Sequence, residues 1–137
     1  MTHKDDSTFV RMFALGKLIR SRAELGGSLP LGQLETLRFV VEAKSPTMQE
    51  VAEYHRITAP SATALIAELV APGYLTREHD QSDRRIVRLA PTALGKKILR
   101  TNMERRRKII DELLAGLSPN ERAQFNTLLD KILITKK

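Results

Sequence analysis

The sequence predicts a mainly α domain in which a helix-turn-helix runs directly into a short basic β hairpin. Three observations carry that expectation. Thr47 followed by Glu50 is a capping box that opens one short helix, and Thr58 caps another a few residues later. Ala62, Leu65, Ile66 and Leu69 then recur at helical spacing until Ala71, Pro72 and Gly73 end the pattern. Residues 77–88 are a charged run with extended ends and turn-forming residues over 80–83, the mark of a two-stranded ribbon with a polar tip.

Composition narrows the function classes. A chain of 137 residues, 42% of them hydrophobic, suits one domain with a real core. No run of about 18 apolar residues occurs, so no membrane span is expected. The opening stretch MTHKDDSTF lacks the apolar core of a signal peptide, which predicts a cytoplasmic protein. Without cysteine there is no disulfide or thiolate zinc site, and His3, His55 and His79 lack metal-ligand spacing, so no metal is predicted. No Gly-rich phosphate loop or nucleophile elbow is present, so neither catalysis nor a cofactor is expected. The net charge of +7 and pI near 10.1 favour a polyanionic partner. Aromatics at 4%, with no Trp, argue against single-stranded nucleic acid, whose bases need rings to stack on.

In chain order, Phe9, Val10, Met12, Phe13, Ala14, Leu15, Leu18 and Ile19 form a first helix, with Ser7 or Thr8 as its N-cap and Gly26, Gly27 and Pro30 closing it. Its apolar residues cover more than one face, so a second subunit is expected to dry it. Leu31, Leu34, Leu37 and Val41 mark a second helix that stops before Ser45 and Pro46. The next two helices are short and closely joined, so they should cross steeply, burying Val51, Ala52, Ile57, Ala62 and Leu65 and exposing the second helix. His55 stands where an apolar residue is expected and reads as a half-buried packing residue. Arg56 occupies a turn position easiest for Gly. Thr92 caps a long fifth helix reaching about Leu114, and Ser118, Pro119 and Glu121 open a sixth through Phe125, Leu128, Leu129, Ile132 and Leu133. Leu99, Met103, Arg106, Ile110, Leu113 and Leu117 repeat as a heptad-like seam. Of the cluster Arg105, Arg106, Arg107 and Lys108, only Arg106 falls in that seam, needing a carboxylate from Asp111, Glu112 or a partner subunit, a snorkelling route or a bound anion.

An exposed short helix followed at once by a basic hairpin predicts double-stranded DNA as partner. Gly73-Tyr74-Leu75-Thr76-Arg77, then Asp83-Arg84-Arg85, then Pro91-Thr92 and Gly95, resemble the MarR (multiple antibiotic resistance regulator) family of winged helix-turn-helix transcription regulators. The resemblance covers nearly the whole chain. It implies a winged helix-turn-helix with a β wing of two or three strands, over residues 31–90, and dimerisation helices over 9–25 and 93–137. It further implies a homodimer whose lobes meet successive major grooves, commonly a repressor released by a small, often aromatic or phenolic, effector. Pro91 departs from the family's Leu, and Ala64 from a frequent long polar residue.

The expected DNA-binding residues are Thr58, Ala59, Pro60, Ser61, Thr63 and Ala64 on the helix, with Arg77, Asp83, Arg84 and Arg85 on the hairpin. Ser61 and Thr63 lie in the first turns, which meet base edges and phosphates. Thr58 is also fully accounted for as a cap. Ala59, Ala62, Ala64 and Ala67 offer only methyl groups, so the helix is poor in hydrogen-bond readers and the wing carries more of the specificity. Near the tip an arginine can enter a narrow, electronegative minor groove. The family's Asp-x-Arg arrangement implies that Asp83 holds Arg85 while Arg84 ranges over phosphates. His79 reads as an exposed neighbour of phosphates. A winged helix that binds protein, and a constitutive DNA-binding regulator without a ligand, are the alternative readings.

Overall fold

The computed structural model describes residues 3–134. Among these, the elements are α1 (His3–Leu25), α2 (Leu31–Ala43), α3 (Met48–His55), α4 (Ala59–Val70), β1 (Leu75–His79), β2 (Val87–Pro91), α5 (Ala93–Leu113) and α6 (Pro119–Ile134). This is the mainly helical winged helix-turn-helix class that the sequence predicts. The chain divides into two compact units, one spanning residues 23–105 and the other combining the residues up to 22 with those from 106 onward.

The 23–105 unit is built on a core of Leu37, Val40, Val51, Ala62, Ile66, Leu69, Leu75 and Leu89, all essentially inaccessible to water. Burying a Leu, Ile or Val side chain of this kind stabilises by about 1.5–3 kcal/mol. Two expected core positions shift by one residue. Val40 rather than Val41 faces inward from α2, and Ile66 rather than Leu65 is fully buried on α4. Adjacent helix positions differ by about 100° in direction, so the rotation that packing imposes decides between two apolar neighbours. Val51 and Ala62 are buried as expected, with Ala52 and Ile57 half-buried against the same core.

Local chemistry explains each boundary. Thr47 accepts from the Glu50 amide at 3.1 Å while Glu50 reaches back to the Thr47 amide, closing the capping box of α3. The turn into α4 passes through Arg56 at φ 54° and ψ 47°, a left-handed conformation that costs a side-chain-bearing residue about 1–2 kcal/mol. α4 ends before Gly73, which at φ 87° turns the chain into β1. β1 and β2 pair antiparallel with Arg77 opposite Leu89 and Glu78 opposite Arg88. A single bridge from Thr47 to Arg88 and a 2.9 Å bond from the Leu89 amide to the Pro46 carbonyl add a rudiment of a third strand. Thr92 ties the wing to α5: its hydroxyl donates to the Gly73 carbonyl at 2.6 Å and accepts from the Gly95 amide at 2.9 Å. Gly95 is required there, because a Cβ would lie 2.1 Å from the Tyr74 carbonyl oxygen.

In the other unit α1 begins at His3, upstream of the expected cap, so Ser7 and Thr8 lie inside the helix. No Gly or Pro interrupts residues 3–8, and an adjacent hydroxyl by itself does not stop a helix. Ser118 and Glu121 form the expected reciprocal cap of α6, at 2.8 and 3.1 Å. Phe9, Met12 and Phe13 of α1 and Leu128, Ile132 and Leu133 of α6 remain more than half exposed. On α5, whose residues up to 105 belong to the 23–105 unit, the deeply buried positions are Gly95, Asn102 and Ile109, spaced by seven. Leu99, Met103, Arg106, Ile110 and Leu113 flank that line half-buried, and Leu117 lies outside it. Asp111 is bonded to Arg122 at 2.6 Å and Glu112 lies 3.9 Å from Arg22.

Candidate nucleic-acid interface

The predicted residues fall at two places in the 23–105 unit: the N-terminal turns of α4 and the wing. Thr58, Ala59, Pro60, Ser61, Thr63 and Ala64 are all exposed. Thr58 is the N-cap, accepting from the Ser61 amide at 3.3 Å, and Pro60 sits in the first turn, where no amide hydrogen is needed within the helix. The positive end of the helix dipole therefore stands beside these side chains.

Proton bookkeeping separates the two hydroxyls. Thr58 donates its hydrogen to Ser61 Oγ at 2.9 Å, so the Ser61 hydrogen remains available to an outside acceptor. Thr63 instead donates to the Ala59 carbonyl at 3.0 Å, leaving only lone pairs and a methyl group to face outward. Ser61 is thus a donor, suited to a phosphate oxygen, and Thr63 an acceptor, suited to an exocyclic amino group or a thymine methyl contact.

The wing tip is a braced turn. Asp80 accepts from the amides of Ser82 and Asp83, both at 3.0 Å, and from the Arg88 guanidinium. Arg88 in turn donates to the Ser45 carbonyl at 3.0 Å, anchoring the tip end of the hairpin to the loop after α2. The Arg88 guanidinium, then the Asp83 amide, hold the Asp80 carboxyl below its usual range. Neither Asp80 nor Arg88 is among the predicted site residues. The Asp-Gln-Ser-Asp string, which favours a side-chain-capped turn, was the available signal. Arg88 reads from sequence as one more cation in a basic run.

Asp83 and Arg85 are paired as the family arrangement implies. Arg85 Nε and Nη2 donate to the two Asp83 oxygens at 3.1 and 3.0 Å, and the Arg85 amide adds a third bond at 3.0 Å. These contacts lower the Asp83 pKa and raise that of Arg85, in each case chiefly through the side-chain pair. The Arg85 side chain is nonetheless 91% exposed, with Nη1 and one Nη2 hydrogen uncommitted. It is a guanidinium held at one end and open at the other. Arg84 and Arg77 are exposed, and the Arg84 carbonyl accepts from His79 Nδ1 at 2.9 Å, stitching the tip to β1.

Residues 28–86, which hold α2 to α4 and most of the wing, match the MarR family model. The chain is 26% identical over 106 residues to the HTH-type transcriptional regulator YxaD of Bacillus subtilis, covering 77% of this chain and 74% of that one. Its fold is similar to that of the YusO protein of Bacillus subtilis, with a TM-score of 0.77 and 22% identity across 97% of this chain and 98% of the other. It is also similar to FabT of Streptococcus pneumoniae solved in complex with DNA, with a TM-score of 0.73 and 22% identity across 99% and 100% of the two chains. By the sequence match over residues 28–86 and the shared fold, the chain is similar to the MarR family of winged helix-turn-helix transcription regulators.

Proposed function

We propose that the chain is a sequence-specific double-stranded DNA-binding transcription regulator that acts as a homodimeric repressor. The observation that carries this reading is the wing tip, where Asp83 orients an exposed Arg85 whose free N–H groups suit a narrow minor groove. Thr58, Ala59, Pro60, Ser61, Thr63 and Ala64 form the major-groove face, with Arg77 and Arg84 on phosphates. Ser61 as donor and Thr63 as acceptor give the alanine-rich α4 a small readout, and Arg85 supplies most of the discrimination. The DNA complex of FabT, a protein of similar fold, supports the same partner here. On this reading the protein acts in the cytoplasm.

The exposed apolar residues of α1 and α6 support pairing of two chains through the helices of residues 9–25 and 93–137, leaving residues 31–90 as the DNA-reading lobe. Release by a small aromatic or phenolic effector rests on the family resemblance: a molecule that binds one lobe spacing better than another shifts the dimer toward it.

Selection of bound duplexes from a random-sequence pool tests the reading. Enrichment of a two-fold symmetric site, with half-sites about 10 base pairs apart, is the expected result. Binding that enriches no sequence, with only a shallow dependence on salt, would instead support a protein-interaction module.

A further inference from the structure

A feature of the lobe outside the DNA-facing residues concerns how α4 is held. Thr36 of α2 is fully buried, yet its hydroxyl oxygen has two neighbours: the Gly32 carbonyl at 2.7 Å and His55 Nε2 at 2.6 Å. Thr36 has one hydroxyl hydrogen, and a carbonyl oxygen can only accept. The hydrogen therefore goes to Gly32, and Nε2 must carry a proton and donate to Thr36. His55 is the last residue of α3. Next to it Tyr54 stacks on Phe39 of α2, ring centres 4.3 Å apart, and the His55 ring meets Tyr54 edge-on at 5.0 Å. The end of α3 is thus pinned to α2 by one hydrogen bond and one ring stack. Immediately afterwards the chain enters the left-handed Arg56 and, two residues later, the cap of α4.

The geometry points to His55 as a positioning residue for DNA recognition, one that touches no DNA and acts by fixing, through Thr36, the point from which α4 departs. This rests on the DNA-binding reading above. An apolar side chain would fill the same half-buried space, and Thr36 would keep its Gly32 partner, so little stability depends on the imidazole. What an apolar residue lacks is direction: a hydrogen bond sets the end of α3 in register with α2, whereas apolar packing lets it slide. The turn after it is short and strained, so looseness at His55 passes to Thr58, Ser61 and Thr63, and interactions in a groove are sensitive to displacements of a fraction of an ångström.

The test uses the full-length protein and a duplex that the wild-type chain selects from a random pool, with poly(dI-dC) as the non-specific DNA. His55→Leu and Thr36→Val should each weaken binding to the selected duplex about three- to tenfold with unchanged binding to poly(dI-dC), and His55→Leu should leave the melting temperature unchanged. The two changes combined should be no worse than either alone, and His55→Gln, which keeps an N–H donor, should restore most of the affinity. A long-range proton–nitrogen NMR spectrum should show hydrogen on His55 Nε2. Equal affinity of His55→Leu and wild type, equal losses in the Leu and Gln variants, a matching fall in melting temperature, or a bare Nε2 would each overturn the proposal. If the wild-type chain enriches no sequence at all, the DNA reading fails and the positioning role falls with it; the NMR spectrum still reports the bond itself.

Discussion

The two compact units treat their apolar residues in opposite ways. In residues 23–105, Leu37, Val51, Ile66, Leu69 and Leu89 are sealed from water by their own neighbours in the chain. In the unit formed by the termini, Phe9, Phe13, Ile132 and Leu133 stand in solvent, and the deepest apolar side chain described, Ile109, retains 8% exposure. A lobe that completes its own core can hold Arg85 and Ser61 in fixed positions. A unit that leaves large side chains wet suits a packing partner elsewhere, which is why we propose it for dimerisation.

The largest expected effect tests the self-sufficient half. Leu37→Ala should destabilise the lobe by about 2–5 kcal/mol in chemical denaturation, because the site is closed on all sides and collapses poorly. Phe13→Glu, in contrast, should shift the protein from dimer to monomer in sedimentation equilibrium while leaving near-native helical content and a cooperative lobe transition. If both changes abolish the same single transition, the distinction between the units disappears.

Smaller effects sharpen the division inside the lobe. Arg85→Ala should weaken binding to the selected duplex by about 1–3 kcal/mol and relax preference at the wing's base pairs. Arg84→Ala should weaken binding similarly across sequences and reduce the slope of log affinity against log salt by about one. Equal behaviour of the two variants would remove the special role given to the Asp83-held guanidinium.

The smallest effect is in acid. Asp80 and Asp83 have folded-state pKa values depressed below the ordinary 3.8, by Arg88 and by Arg85 respectively. A depressed carboxylate adds stability that is fully present above its unfolded value and is lost as pH falls through the folded one. The wing should therefore be fully braced above about pH 5 and loosen only below 3.8. Loss of the Arg85 Nε–H signal in NMR near neutral pH, rather than in that acid window, would contradict the pairing.

Several features were legible from the residues alone because they are local. The capping boxes at Thr47 and Ser118, the Thr58 and Thr92 caps, the breaks at Gly27 and Gly73, and the polar tip at 80–83 each depend on side chains reaching backbone a few residues away. The Asp83–Arg85 pair followed from the family pattern for the same reason of proximity. The start of α1 was missed, since a serine or threonine is as compatible with a helix interior as with a cap when nothing nearby breaks the helix.

What the sequence by itself determined is therefore the order of elements, the chemical character of the exposed helix and wing, and the resemblance to a regulator family. Tertiary structure alone decided that Ile66 and not Leu65 turns inward, that Arg88 braces the wing against Asp80 and Ser45, that Gly95 has no room for a side chain beneath Tyr74, and that His55 meets Thr36 across two helices. Periodicity gives a helix face only to within a residue or so. The exact rotation, and every bond between residues far apart in sequence, depends on how closely packed side chains from several elements share one volume.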